Sequence, residues 1–235
     1  MTSLTAFFKN RTVQQLLVFT LCQNLLWWLV GSTSATGQPL TWRVKLSLGG
    51  YGIFLAAGYF LILRRHFQSH IGPILVVAAA TLGLLAAPTD HLVQLFAVLL
   101  CIFLVLACIP QLQLQSIYGL VVFSFLAGCG VPVILFFLRN HYLATQFLLT
   151  LLPIMATYLA FFAQFYLPRP TDWRYTLIFP AILVIAILTI SFSWKTIVAI
   201  LLVVLHWALQ RRLNVNYRLV VAGVTQLVVG YLLLR

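Results

Sequence analysis

Residues 72–109 read GPILVVAAATLGLLAAPTDHLVQLFAVLLCIFLVLACI, an apolar run broken mainly at Pro88-Thr-Asp-His91. About 20 apolar helical residues cross the ~30 Å hydrocarbon core of a bilayer, so this run is far too long for one passage. How the tetrapeptide is read therefore decides the fold. As a turn it splits the run into two membrane helices, and as a kink it leaves one. Pro, Thr and Asp supply turn chemistry, because the proline ring fixes φ and the short polar side chains bond nearby backbone amides. We read a turn. Asp90 and His91 would otherwise form a proton-accepting pair if they faced a cavity.

A second long run, 175–210, is interrupted at Ser191-Phe-Ser-Trp-Lys195. Elsewhere the apolar stretches end at charges, prolines and polar clusters. The expected spans are 13–31, 47–63, 72–87, 92–109, 116–138, 142–165, 175–190, 196–210 and 218–234. The predicted fold is all-α: about nine transmembrane helices in one bundle, forming a single domain over residues 1–235. No fixed-period repeat, low-complexity tail or long loop is visible in the sequence.

Charge gives the expected orientation, since Lys and Arg are enriched in short cytoplasmic loops. With the N-terminus inside and the C-terminus outside, Lys9, Arg11, Arg64, Arg65, Arg169, Arg174, Arg211, Arg212 and Arg218 fall inside. Arg43, Lys45, Arg139, Lys195 and Arg235 fall outside. Removing the break at Pro88 would move the loops holding Arg169 and Arg211 outside and reverse the bias.

Composition agrees with lipid as the main solvent. The chain is 63% hydrophobic and 7% charged, with a mean hydropathy of +1.08, whereas soluble domains are roughly a quarter charged. A formal charge of +12 set against only Asp90 and Asp172 would suggest nucleic acid in a soluble protein. Here the basic residues lie in short loops between apolar spans, where lipid phosphates account for them. The expected partners are membrane lipids and other integral membrane subunits, with no nucleic acid. A bacterial inner membrane is the expected location.

Lys9 and Arg11 before an apolar run, followed by small residues at 31–37, loosely imitate a signal peptide. The run from Val13 to Val30 is longer than a usual signal core and carries Trp27 and Trp28, which favours a retained first span. Cys22, Cys101, Cys108 and Cys129 all lie in apolar segments, without metal-ligand spacing. They read as small core residues.

Candidate sites must come from helix faces and short loops. Arg64 and Arg65, in Arg64-Arg-His-Phe-Gln-Ser-His70, and Arg169 and Arg174, around Asp172, fall on the same expected side. Together they form a candidate clamp for a phosphate or lipid head group, because guanidinium forks match phosphate oxygens. Ordinary anchoring to anionic lipid heads is the competing reading. His66 with His70, or His91 with His141, would have to face one space to hold haem or a metal, as would His206 with a partner. Water-reaching histidines at membrane edges are the simpler account, so no metal site and no haem are expected. Gln23, Asn24, Gln146, Gln164 and Gln226 are uncommon polar groups within spans and should pair across helices or line a cavity. Gly128-Cys-Gly130 before Pro132 should allow close helix approach and a break in the fifth span.

The nine-span layout, with polar cytoplasmic loops after the second and sixth spans, resembles the UbiA superfamily of intramembrane prenyltransferases. The stretch Ile109-Pro-Gln-Leu-Gln-Leu-Gln-Ser116-Ile-Tyr-Gly119, leading into Leu126-Ala-Gly-Cys-Gly-Val-Pro132, is similar in placement to that family's middle cytoplasmic loop and following helix. The resemblance implies Asp-rich motifs in the two loops, whose carboxylates hold Mg²⁺ and an isoprenoid diphosphate. This chain departs there: the first loop has no carboxylate and the second only Asp172. No catalytic residue is therefore assigned. The expected function is a non-catalytic subunit or assembly partner of a membrane complex that holds a lipid, isoprenoid or pigment tail. No other cofactor is expected. A divergent isoprenoid or lipid transferase and a small membrane carrier are the alternatives.

Overall fold

A computed structural model describes residues 10–33, 37–167, 177–189 and 193–234. They are helical, and no strand occurs among them. The helices are α1 (Arg11–Gly31), α2 (Trp42–Arg64), α3 (Ile71–Ala86), α4 (His91–Ala107), α5 (Ile117–Asn140), α6 (Thr145–Tyr166), α7 (Ile178–Leu188), α8 (Trp194–Arg212) and α9 (Val215–Leu234). Five of them, α1, α2, α5, α6 and the Tyr217–Leu234 part of α9, are long and apolar enough to cross a membrane. The other four are shorter apolar helices.

The turn at Pro88 separates α3 from α4, and the Gln94 side chain fastens it. Its amide donates to the Ala87 carbonyl at 3.1 Å and the Pro88 carbonyl at 2.9 Å. The second break carries its own start signal. Ser193 Oγ accepts from the Lys195 amide while Thr196 Oγ1 accepts from the Ser193 amide, both at 3.2 Å, a capping box that opens α8. The largest boundary correction is at α2, which begins at Trp42 rather than near 47. Arg43 and Lys45 are exposed on its first turns, where long basic side chains can lie along apolar surface and keep their charge in water.

Large apolar side chains cover the outside of the bundle as well as its core, while a few amides lie inside. Gln23 and Gln226 are fully buried, whereas Leu21, Ile74 and Leu205 are more than half exposed. An apolar surface of this extent is stable only where lipid covers it, and amides are kept inside because those left facing hydrocarbon lose their hydrogen bonds. The chain is thus a helical integral membrane protein.

Its core is aromatic. Phe19 of α1, Tyr59 and Phe60 of α2, Phe123 of α5 and Phe162 of α6 meet at centroid distances of 5.1 Å for Phe19 with Phe60, 5.6 Å for Phe123 with Phe162, and 6.2 Å for Tyr59 with Phe162. Most of these rings meet edge to face, the orientation that ring quadrupoles favour. Beside them α2 and α3 form a close antiparallel pair. A Cβ added to Gly58 would lie 3.1 Å from the Gly72 carbonyl oxygen, and one added to Gly72 would lie 3.0 Å from that of Gly58. Two glycines at the crossing let the backbones approach this closely.

Within α5, the residues Leu126–Gly130 form a π-helical turn. Continuing its i→i+5 register aims the Ala127 carbonyl at Pro132, which has no amide hydrogen. The indole of Trp27 fills that role, with Nε1 donating to the Ala127 oxygen at 2.9 Å. The expected break in the fifth span is therefore a widened turn whose exposed acceptor is met from α1.

Candidate functional site

The α2–α3 connection reverses through His66 and Phe67, both left-handed with φ of 48° and 65°. The Phe67 amide donates to the Ile62 carbonyl at 2.8 Å, and its buried ring packs on Tyr166 with centroids 5.0 Å apart. Phe123 lies against the same tyrosine at 5.4 Å. This seam joins the ends of α2 and α6. Arg169 and Arg174, like Asp172, lie outside the described residues.

Arg64 points toward α1. Its Nη2 donates to Thr12 Oγ1 at 3.1 Å, and the guanidinium carbon sits 5.8 Å from the centroid of the Phe60 ring. Its Nη1 is buried and meets no hydrogen-bond acceptor among the described residues. Arg65, one position on, is exposed. Of the four arginines expected to form a clamp, the structure thus places two at one helix end. Arg64 is directed at α1 rather than at the α2–α3 loop.

A cleft of about 580 Å³ opens at this end between the α2–α3 loop and the α4–α5 connection. His66, Ser69, His70, Cys108 and Gln115 line it, with Phe67 among its apolar walls. Sequence reasoning considered His66 and His70 only as ligands. It missed their shared cleft, because the 108–115 wall arrives from another part of the chain. Gln113, at φ 49°, is a third left-handed residue in these two connections.

The expected pairing of buried amides is found for two of them. Gln23 Nε2 donates to Gln226 Oε1 at 2.8 Å, and the Tyr158 hydroxyl donates to Gln23 Oε1, also at 2.8 Å. Gln226 Nε2 donates to Thr157 Oγ1 at 3.0 Å. This closed network ties α1, α6 and α9 together in the interior. Gln146 is exposed on the first turn of α6 and takes no part. Gln164 Nε2 and Asn24 Nδ2 are buried and have no partner among the described residues.

His206, on α8, is buried against the edge of Phe161 with centroids 4.6 Å apart. The Thr225 hydroxyl gives its hydrogen to the Val221 carbonyl at 2.8 Å, so at 3.2 Å it accepts from Nδ1 of His206. Gln210 Nε2 then donates to His206 Nε2. Both ring nitrogens of His206 thus meet side chains of the protein itself. Among the described residues, no three His, Cys, Asp or Glu side chains gather where they could hold one metal ion.

Fold and site together define a helical membrane protein with an aromatic core, an internal amide network and a polar cleft at its arginine-bearing end. Set against known protein families, characterised proteins and solved structures, the chain matches none.

Proposed function

We propose that the chain crosses the membrane nine times, N-terminus inside and C-terminus outside, as a non-catalytic subunit or assembly partner of a membrane complex. The observation that carries this reading is the filled seam between α2 and α6. Tyr59, Phe123, Tyr158 and Phe162 are all buried there, and each ring contacts at least two of the others. A transferase of the UbiA type needs that space open for an isoprenoid chain and needs carboxylates at its mouth. A lipid or pigment tail, in this reading, lies on the outer surface of the bundle rather than inside it.

The nine-crossing layout draws support from the helix order. The 16 residues of α3 and 17 of α4 give lengths of about 24–26 Å at 1.5 Å per residue. Thinning of the bilayer and reach of the flanking residues accommodate such lengths. The 11 residues of α7 give about 16 Å, the shortest of the nine helices described.

The test is purification of the full chain from its native membrane in mild detergent. Stoichiometric membrane partners are expected. A monodisperse single chain that binds a prenyl diphosphate in the presence of Mg²⁺ would instead establish the transferase alternative.

A second reading, phosphate or lipid-head binding by Arg64, Arg65, Arg169 and Arg174, is favoured by Arg64 Nη1, which has no acceptor among the described residues. Loss of lipid-phosphate binding in Arg64→Ala and Arg169→Ala, with folding retained, is its expected result. Unchanged binding in both removes it.

A further inference from the structure

The cleft between the α2–α3 loop and the α4–α5 connection is separate from the Arg64 contact with Thr12, and its lining has a consistent chemistry. His66 and His70 are exposed at its walls. Ser69 is 6% exposed, and its Oγ accepts the Gly72 amide at 3.1 Å, which leaves the hydroxyl hydrogen to donate. Gln68 and Gln115 add amides. Among the described residues no carboxylate lines the cleft, and Arg65, just before His66, is exposed. The 16-residue α3 begins at Ile71 on its edge, so the positive end of that helix dipole adds to the same field. Hydrogen-bond donors and positive potential gathered in one cleft suit an oxyanion.

The rim shows what the oxyanion would be attached to. Ile71, Ile74, Ile109 and Leu112, which flank the lining residues, are each at least two-fifths exposed. A polar cleft bordered by outward apolar side chains matches a molecule with an anionic head and a hydrocarbon body. His66, Phe67 and Gln113 turn the backbone through left-handed conformations in the two connections that border the cleft.

We infer that this cleft binds a phosphate group, with His66, Ser69 and His70 as donors and the apolar rim receiving the acyl chains of an anionic phospholipid. The inference depends neither on membership of a complex nor on the arginine clamp.

The test uses the full chain in nanodiscs of phosphatidylcholine with phosphatidylglycerol, read by native mass spectrometry for lipid retained per chain. One phosphatidylglycerol is expected to survive release of the bulk lipid. His70→Glu, which puts a carboxylate into the cleft, should lower the retained fraction about fivefold, a difference of about 1 kcal/mol. His66→Asn removes the imidazole while keeping a residue that tolerates the left-handed backbone, and it should also lower retention. His141→Glu, after α5 at the opposite end of the bundle, should leave retention unchanged.

A parallel titration replaces phosphatidylglycerol with inorganic phosphate in discs of phosphatidylcholine alone. Binding there that His70→Glu abolishes would assign the same site to free phosphate. Equal retention by wild type, His70→Glu and His66→Asn would overturn the inference. So would an equal loss in His141→Glu, which would make retention a matter of overall charge.

Discussion

The indole nitrogen of Trp27 donates to the carbonyl oxygen of Ala127 at 2.9 Å, joining two residues 100 positions apart. The bond meets the acceptor that the π-helical turn and Pro132 leave open in α5. In a hydrocarbon interior no water can replace the indole.

Replacing Trp27 with Phe should therefore destabilise the protein by about 1–3 kcal/mol, the cost of a buried polar group without its partner. Trp28→Phe, at a half-buried position on the same helix, should cost much less. Thermal unfolding in detergent compares the two. Equal melting temperatures would show that the carbonyl finds another donor.

Gln23 and Gln226 should be energetically coupled. A double-mutant cycle with Gln23→Leu and Gln226→Leu should give a coupling of about 1 kcal/mol, within the range for hydrogen bonds between membrane helices. Additive effects in steric-trap or denaturant unfolding would mean that the pair contributes packing alone.

Gly128 and Gly130 lie two residues apart and should respond differently to alanine. A Cβ on Gly128 would lie 2.9 Å from the Met155 Cα, a backbone atom that cannot step aside, whereas one on Gly130 would meet only Phe96 Cδ1 at 3.5 Å. Gly128→Ala should cost about 1–3 kcal/mol by forcing α5 and α6 apart. Gly130→Ala should be close to neutral. Folded yield and melting temperature measure both.

The proposed orientation predicts opposite labelling of two loops. In a chain with Cys22, Cys101, Cys108 and Cys129 replaced by alanine, a membrane-impermeant thiol reagent added to intact cells should label Tyr142→Cys. Gln68→Cys should stay unlabelled until the cells are opened. Both residues are exposed in the structure, so labelling of both from outside would refute the layout.

Much of this architecture was legible in the chain because lipid imposes a simple rule. A backbone inside hydrocarbon must satisfy its own hydrogen bonds, so each apolar run becomes a helix, and the breaks fall where proline, serine and charge gather. The turn at Pro88 and the capping serine at Ser193 follow from that rule. The start of α2 did not, since Arg43 and Lys45 read as loop residues although exposed basic side chains fit a helix end. The candidate arginines were visible by type, but the direction of Arg64 was not. Its orientation depends on Thr12 and Phe60, and the contact with Thr12 spans 52 residues of sequence.

Residue composition and spacing alone were enough to determine that this chain is helical and dissolved in lipid, because both depend on the transfer of side chains and amides between water and hydrocarbon. Which amide meets which was decided only by tertiary structure. Gln23 has no local signal that selects Gln226, 203 residues away. The cleft of His66 and His70 likewise exists only once the 108–115 segment is folded against them. Such pairings are set by the relative rotation and depth of packed helices, which no single helix encodes.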